Sequence, residues 1–325
     1  MKNLSVRLYQ KSDYTVWNAF IGQAKNATFL FHRDFIEYHK DRFEDYSLMI
    51  FDNQKLMAVL PANRVGDVVY SHQGLTYGGL IYGDQIKLAG IILIFGKLLS
   101  FLEESKIQKL HLKTIPSIYH NKPSEEMLYA LFLTEAQIVR RDTLTVINSS
   151  HENTISKIRK RGIQKGMANG LIIREENDFD TFWNEILIPN LQQRHKAKPV
   201  HSLEEITKLK NHFPENIRQF NVYYKDKIVA GTTVFESQNV AHCQYISKQD
   251  GNEDLGSLDV LYHFLTTGVF ADKRFFDFGI SNESQGRKLN EGLSYWKESF
   301  GASTIVHDFY EVETKNYSLL ATVLI

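Results

Sequence analysis

One succession of strands, turns and helices is written twice along this chain, and that repetition narrows the folds open to it more than any other feature. Tyr46–Asp52, Leu56–Arg64 and Val68–His72 have strand character, with Asp52-Asn53-Gln54-Lys55 as the tight turn between the first two. Phe220–Tyr224, Ile228–Glu236 and Val240–Ser247 repeat that meander, with Lys225-Asp226-Lys227 as the turn. A glycine-bearing loop follows each time, with Gly74, Gly78, Gly79 and Gly83 in the first copy and Gly251 and Gly256 in the second. Then come a helix (85–104 or 257–272), a strand (109–115 or 275–280), a second helix (124–133 or 286–300) and a last strand (142–148 or 304–310). A helix also precedes each meander, marked by Val16, Trp17, Phe20 and Ile21 and by Phe179, Phe182, Trp183 and Ile186 at helical spacing. The pattern predicts an α/β chain, α+β in its mixed sheets, of two tandem copies of one fold. The polar stretch Ser149–Glu152 sets the expected domains at 1–149 and 150–325.

Composition removes several classes of function. The chain has 325 residues, 43% of them hydrophobic and 23% charged, which are globular values. Lys+Arg and Asp+Glu both number 38, and zero net charge argues against general nucleic-acid binding. Cys243 is the single cysteine, which excludes an intrachain disulfide framework and a cysteine-based zinc site. The histidines have no H-E-x-x-H or other metal spacing, so no metal is expected. The longest apolar run, Leu88–Leu102, is interrupted by Lys97 and Ser100 and falls short of a ~20-residue span, which predicts a buried amphipathic helix. A polar beginning without an apolar signal core suggests a cytoplasmic protein, compatible with work at the inner face of the membrane.

Five stretches carry candidate chemistry. In the loop Asp250–Ser257, Gly256 permits close backbone approach and Ser257 can cap the following helix, so its amides and dipole could receive a pyrophosphate. An ordinary capped helix start is the plainer alternative, and the P-loop sequence is absent. The cluster Lys157, Arg159, Lys160, Arg161 and Lys165, with Gly162 and Gly166 among it, suits a phosphorylated cosubstrate, a lipid headgroup or a solvated helix face. Around Pro199, the loop residues His195, Lys198 and His201 could contact an acceptor, and histidine has the pKa range for proton transfer; surface histidines beside a helix start are the plainer alternative. Ser202 and Glu205 form a capping box for the next helix.

Strand Phe275–Ile280 carries Asp277 among phenylalanines, where a carboxylate needs a partner or a raised pKa. Asn282 and Glu283 follow it; Asp277 and Glu283 are both candidate bases, Glu283 the better one, a structural hydrogen-bond acceptor is the plainer reading of Asp277, and for a ligand role Asp277 and Asn282 are assigned to substrate binding. On the meander strand, His242 and Gln244 should share one face and Cys243 and Tyr245 the other. Tyr245 could protonate a leaving thiolate, whereas Cys243 is a small buried hydrophobe.

These elements, with Phe275-Phe276-Asp277-Phe278-Gly279 and Trp296-Lys297-Glu298-Ser299-Phe300-Gly301-Ala302, resemble the GNAT superfamily and, more closely, its FemAB-like branch of tandem GNAT folds. Ile158–Gly166 is similar to that branch's basic helix at the start of the second domain, and Ile115-Pro116-Ser117-Ile118-Tyr119 to its proline-tyrosine segment. The resemblance spans about residues 5 to 310. It implies an N-acyltransferase with its site in the second domain. Its cosubstrate would be acyl-CoA, held at Gly256, Ser257, Arg159 and Lys160, and Glu283, His195 and Tyr245 would act on protons. The implied acceptor is a small-molecule or lipid-linked sugar of the cell envelope. Within the same family, aminoacyl-tRNA is the alternative donor, with the basic helix on the acceptor stem. A non-catalytic tandem-GNAT binding protein is the reading from another class. The apolar tail 319–325 is expected to dock on the chain's own surface or on a second copy in a homodimer.

Overall fold

The computed structural model describes residues 3–251 and 255–325, with every side chain in those ranges except that of His195. The elements run β1 (Leu4–Leu8), α1 (Tyr14–Ile21), α2 (Arg33–Ile36), β2 (Glu44–Asp45), β3 (Leu48–Asp52), β4 (Lys55–Leu60), β5 (Asn63–Val65), β6 (Val68–Tyr70), β7 (Ile81–Tyr82), α3 (Leu88–Glu104), β8 (Lys109–Lys113), α4 (Glu126–Leu133) and β9 (Gln137–Asn148). They continue α5 (Lys157–Ala168), β10 (Ile172–Glu176), α6 (Asp180–Phe182), α7 (Ile188–His195), α8 (Leu203–His212), β11 (Ile217–Tyr224), β12 (Lys227–Glu236), β13 (Val240–Lys248), α9 (Ser257–Phe264), β14 (Phe275–Ile280), β15 (Asn282–Glu283), β16 (Lys288–Leu289), α10 (Glu291–Glu298) and β17 (Ser303–Glu313). Among the described residues no helix is long and apolar enough to cross a membrane.

Compactness divides the chain into two units. Unit one gathers Met1–Asp142, Gln285–Arg287 and Val306–Ile325; unit two gathers Thr143–Ser284 and Lys288–Ile305. The chain is thus an α/β protein of two mixed-sheet units.

Unit one builds on α3. Ile91, Phe95, Leu98 and Leu102 recur at helical spacing and are all buried, so one stripe of the helix is removed from water. They meet Leu48, Ile50, Ala58 and Leu60 from β3 and β4, and Leu110 and Leu112 from β8. Each such side chain contributes roughly 1.5–3 kcal/mol on burial. Leu320 and Val323 from the tail join this cluster, so the apolar end covers the unit's own core. The first meander does not run as one sheet. Pro61 divides Leu56–Arg64 into β4 and β5; β4 pairs with β3 and β7, while β5 pairs with β2 and β6. Proline has no N–H to give a ladder, and here the chain changes sheets at it.

Unit two retains the meander whole. Its sheet runs β10-β11-β12-β13-β14, and residues 144–148 of β9 pair antiparallel with β14. Lys225 and Asp226 both have positive φ, the twist a tight hairpin requires, and they join β11 to β12. On one face α9 packs Leu261 and Tyr262 against Phe220, Cys243, Phe276 and Phe278. On the other, Phe182 presses on β12 at Gly231, where a Cβ would lie 2.5 Å from its ring. A bulge between Thr233 and Val234 gives β13 one extra residue, Gln244. That bulge resets the alternation, so Cys243 and Tyr245 do not share a face as simple period-two reading expects: Cys243 joins the α9 core and Tyr245 stacks edge-on against Trp183.

Candidate functional site

The site in unit two begins where two parallel strands part. β13 and β14 pair only over Val240–Phe275, Ala241–Phe276 and His242–Asp277. Beyond that point β13 runs on to Lys248 and β14 to Ile280 without pairing to each other. Parting strands leave facing backbone donors and acceptors for another partner. Two side chains on the arms are also unsatisfied. Gln244 Oε1 on β13 and Ser281 Oγ just past β14 are buried with no hydrogen-bond partner among the described residues. Buried polar atoms without partners are rare and call for one.

A polar lock sits at the fork. Asp277 is fully buried; its Oδ2 lies 2.9 Å from His242 Nδ1, and its Oδ1 accepts from the Gly279 amide at 2.7 Å. Gly279 has φ +73°, a left-handed turn that bends the strand end back on Asp277. Lys297, projecting from α10, is 2% exposed and donates to the carbonyls of Gly279 (3.0 Å) and Ile280 (2.6 Å). Burial pushes the Lys297 ammonium down to about 8, and the Asp277 charge opposes that shift. The strand end is therefore clamped from both sides, with a cation beneath it.

Tyr245 and His201 come together. His201 Nδ1 lies 2.6 Å from the Tyr245 hydroxyl, which also accepts from the His201 amide at 3.1 Å. Trp183 Nε1 donates to the His201 carbonyl at 3.4 Å, so the loop is fastened over β13. Burial pushes the Tyr245 phenol up to about 12, against the pull of the His201 amide. The Ser202–Glu205 capping box forms at the start of α8 and fixes the loop's exit.

Other candidates stand elsewhere. Glu283 is exposed on the β15–β16 hairpin and accepts from Asn290 Nδ2 at 3.4 Å. Asn282 Oδ1 accepts from the Thr143 amide at 2.5 Å and its hydroxyl at 2.7 Å, which ties the hairpin to β9. Lys198 is exposed in its loop, and the His195 side chain lies outside the described residues.

At the start of α9, Gly256 is the N-cap with φ +73°, and Ser257 is the first helical residue, 3% exposed and without a capping bond. A Cβ on Gly256 would lie 2.3 Å from the Gly162 carbonyl oxygen; one on Gly166 would lie 2.9 Å from the Gly256 carbonyl oxygen. The glycines of α5 and α9 thus press two backbones together, and Arg159 is ion-paired to Asp259. Lys160 stays exposed on the outer side of α5 with Lys157 and Arg161. Asn252, Glu253 and Asp254 of the preceding loop lie outside the described residues.

Two members of the fork escaped the sequence reading as functional groups. Lys297 sits three residues after Ser294 and three before Phe300, both buried, so it occupies the inward stripe of α10. A lysine on such a stripe is the signal that was available. The His242–Asp277 pair depends on strand register, which the sequence does not display. Among the described residues no group of three or more His, Cys, Asp or Glu is placed to hold a metal ion.

No family model matches the chain, and no curated protein does. Solved structures do. The chain superposes on FemX with a TM-score of 0.67 at 8% identity, covering 98% of this chain and 99% of that one. It superposes on the C-terminal domain of a putative lysylphosphatidylglycerol synthetase from Agrobacterium fabrum with a TM-score of 0.56 at 9% identity, covering 78% and 80%. L-PGS from Bacillus licheniformis gives 0.54 at 12% identity, covering 82% and 83%. At these identities the likeness is one of fold alone: the chain has the fold of FemX.

Proposed function

We propose that the chain is an N-acyltransferase that moves an acyl group from acyl-CoA onto an amino group of a cell-envelope sugar or precursor. The observation that carries this reading is the fork in unit two, where β13 and β14 part beyond His242–Asp277 and each arm bears an unsatisfied buried polar atom. An extended thioester laid along the β13 arm would take the strand hydrogen bonds that β14 no longer makes.

The neutral amine adds its lone pair to the thioester carbonyl carbon. The amine proton leaves to a base, the C–S bond breaks, and the thiolate departs with a proton. Glu283 and His195 are the proposed bases. Free amides on β13 would stabilise the oxyanion, and the Lys297 ammonium adds positive charge beneath the strand end. Tyr245, bonded to His201, is the proposed acid for the thiolate. His201, Lys198, Asn282 and Asp277 are proposed to bound the acceptor, with Asp277 acting through its hold on the strand end.

A second donor has a specific observation in its favour. The backbone at the start of α9, where a CoA pyrophosphate would seek helix amides, is packed against Gly162 and Gly166. Outward, α5 exposes Lys157, Lys160 and Arg161, a surface suited to the acceptor stem of an aminoacyl-tRNA.

Thermal unfolding with each donor separates the two. Acetyl-CoA raising the midpoint, with no response to charged tRNA, supports the first reading; the reverse supports the second. If neither donor shifts the midpoint and Glu283→Ala/His195→Ala leaves the cellular phenotype intact, both transferase readings fail and the non-catalytic one stands.

A further inference from the structure

The half-buried ammonium of Lys113 in unit one has no counter-charge of its own. It stands at the end of β8, directly opposite Phe309 of β17 in the antiparallel register. Its Nζ donates to the Leu75 carbonyl, and its other two N–H groups have no partner among the described residues. Three groups surround the Phe309 ring: the His307 ring at 4.8 Å between centroids, the Arg140 guanidinium at 4.5 Å and the Lys113 ammonium at 5.9 Å. Arg140 is neutralised by buried Asp142 through contacts of 3.0, 3.0 and 2.6 Å. Along the same strands Glu311 is held by Lys109 and His111, each at 2.7 Å. One positive charge is left over, at Lys113.

His307 supplies the second half of the pattern. It is 4% exposed, the Thr114 backbone acts on its ring as an acceptor, and its Nε2 is buried with no partner among the described residues, so with the proton on Nδ1 the Nε2 is a bare lone pair. Burial, with Lys113 and Arg140 nearby, pushes its imidazole down to about 4, so it is a neutral acceptor near neutrality. An ammonium with unused donors therefore asks for an anion, a lone pair asks for a hydroxyl, and a half-exposed phenyl ring between them offers an apolar surface. A buried cation without a counter-charge weakens a fold, so a purely structural role does not explain it.

We propose that Lys113, Arg140, His307 and Phe309 form a binding site in unit one for a hydroxylated anion of the sugar-phosphate class. The phosphate would lie on Lys113 and the outer edge of Arg140, a hydroxyl would donate to His307 Nε2, and the C–H face of the sugar would rest on Phe309. The inference does not depend on the transferase reading, because nothing in it uses the unit-two fork.

Calorimetric titration of the full chain with glucose 6-phosphate, inorganic phosphate and glucose tests it. Glucose 6-phosphate should bind at least tenfold more tightly than inorganic phosphate, and glucose should give no measurable heat. Lys113→Met should weaken glucose 6-phosphate tenfold or more while its thermal midpoint holds or rises, since a desolvated charge is gone. The ligand keeps its charge above pH ~7, because a phosphomonoester's second pKa is near 6. Burial and Arg140 push Lys113 down to about 8, with Asp142 opposing. Wild-type affinity should therefore fall between pH 7 and 9.5, and Lys113→Arg should hold it. The groups facing Lys113 are Arg140 and Asp142 of β9, His307 of β17 and the Leu75 carbonyl, and His307, pushed down to about 4, is neutral throughout that interval. No saturable binding, Lys113→Met binding as tightly as wild type, or inorganic phosphate binding as tightly as glucose 6-phosphate would each overturn the assignment. If Lys113→Met fails to fold, parallel loss of affinity by wild type and Lys113→Arg over that pH range overturns it.

Discussion

Lys297 decides how the fork responds to pH. Its amine ordinarily titrates at 10.5, and burial brings it to about 8 in the folded chain. Below pH 8 both states carry the proton and the folded state bears the whole desolvation penalty. Between 8 and 10.5 the unfolded chain still binds a proton that the folded chain has released, so stability rises with pH across that window. The gain from this residue is roughly 2–3 kcal/mol. Lys297→Met removes it and leaves the Gly279 and Ile280 carbonyls without their donor. Urea unfolding of both proteins at pH 7.5 and pH 10 isolates the effect, since other titrating groups cancel in the difference. Wild type should gain on the variant at the higher pH; a constant difference would mean Lys297 keeps an ordinary pKa. The same residue shows where single-sequence reading ends. Its place on an inward stripe was visible, but its two carbonyl partners exist only because Gly279 turns the strand end towards it.

Between elements, α5 comes close enough to the start of α9 to separate two uses of glycine. Gly256 has φ +73° and would set a Cβ 2.3 Å from a backbone oxygen, whereas at Gly251, with φ +82°, an added Cβ would meet nothing within 4 Å among the described residues. Gly251→Ala should cost only the left-handed penalty, about 1–2 kcal/mol. Gly256→Ala adds a clash with backbone that cannot swing aside and should cost at least ~3 kcal/mol, measured by urea denaturation. Equal losses in the two variants would mean α5 is not held against α9. The glycine spacing in α5 was legible as a close approach, but its object was not: a ligand and another helix ask for the same small residues. The meanders divide similarly. β11 to β13 could be traced from hydrophobic runs and the Lys225-Asp226 turn because the β11–β12 and β12–β13 pairings stay within one sheet. In the first copy Pro61 was in plain sight, yet period and composition alone do not say that a proline moves the chain to another sheet rather than bulging it.

Across the whole chain, order in sequence and membership in a compact unit diverge, and that divergence can be tested by cutting. The repeat places a boundary near residue 149, but the unit that contains β8 also contains residues 306–325. Strand pairs from Phe309–Lys113 to Glu313–Lys109 line β17 along β8, and Leu320 and Val323 cover the α3 core. A fragment 1–149 lacks all of these, so β8 has an open edge and α3 an uncovered stripe. A fragment 150–325 lacks residues 144–148, the antiparallel partner of β14. Neither fragment alone should unfold cooperatively in urea, and co-expression should recover a single cooperative transition because each fragment supplies the other's missing strand. Removing only exposed Leu324 and Ile325 should leave the midpoint unchanged. A cooperative transition from 1–149 by itself would show that the first copy holds its core without β17, and that the repeat marks a folding boundary as well as a pattern in the sequence.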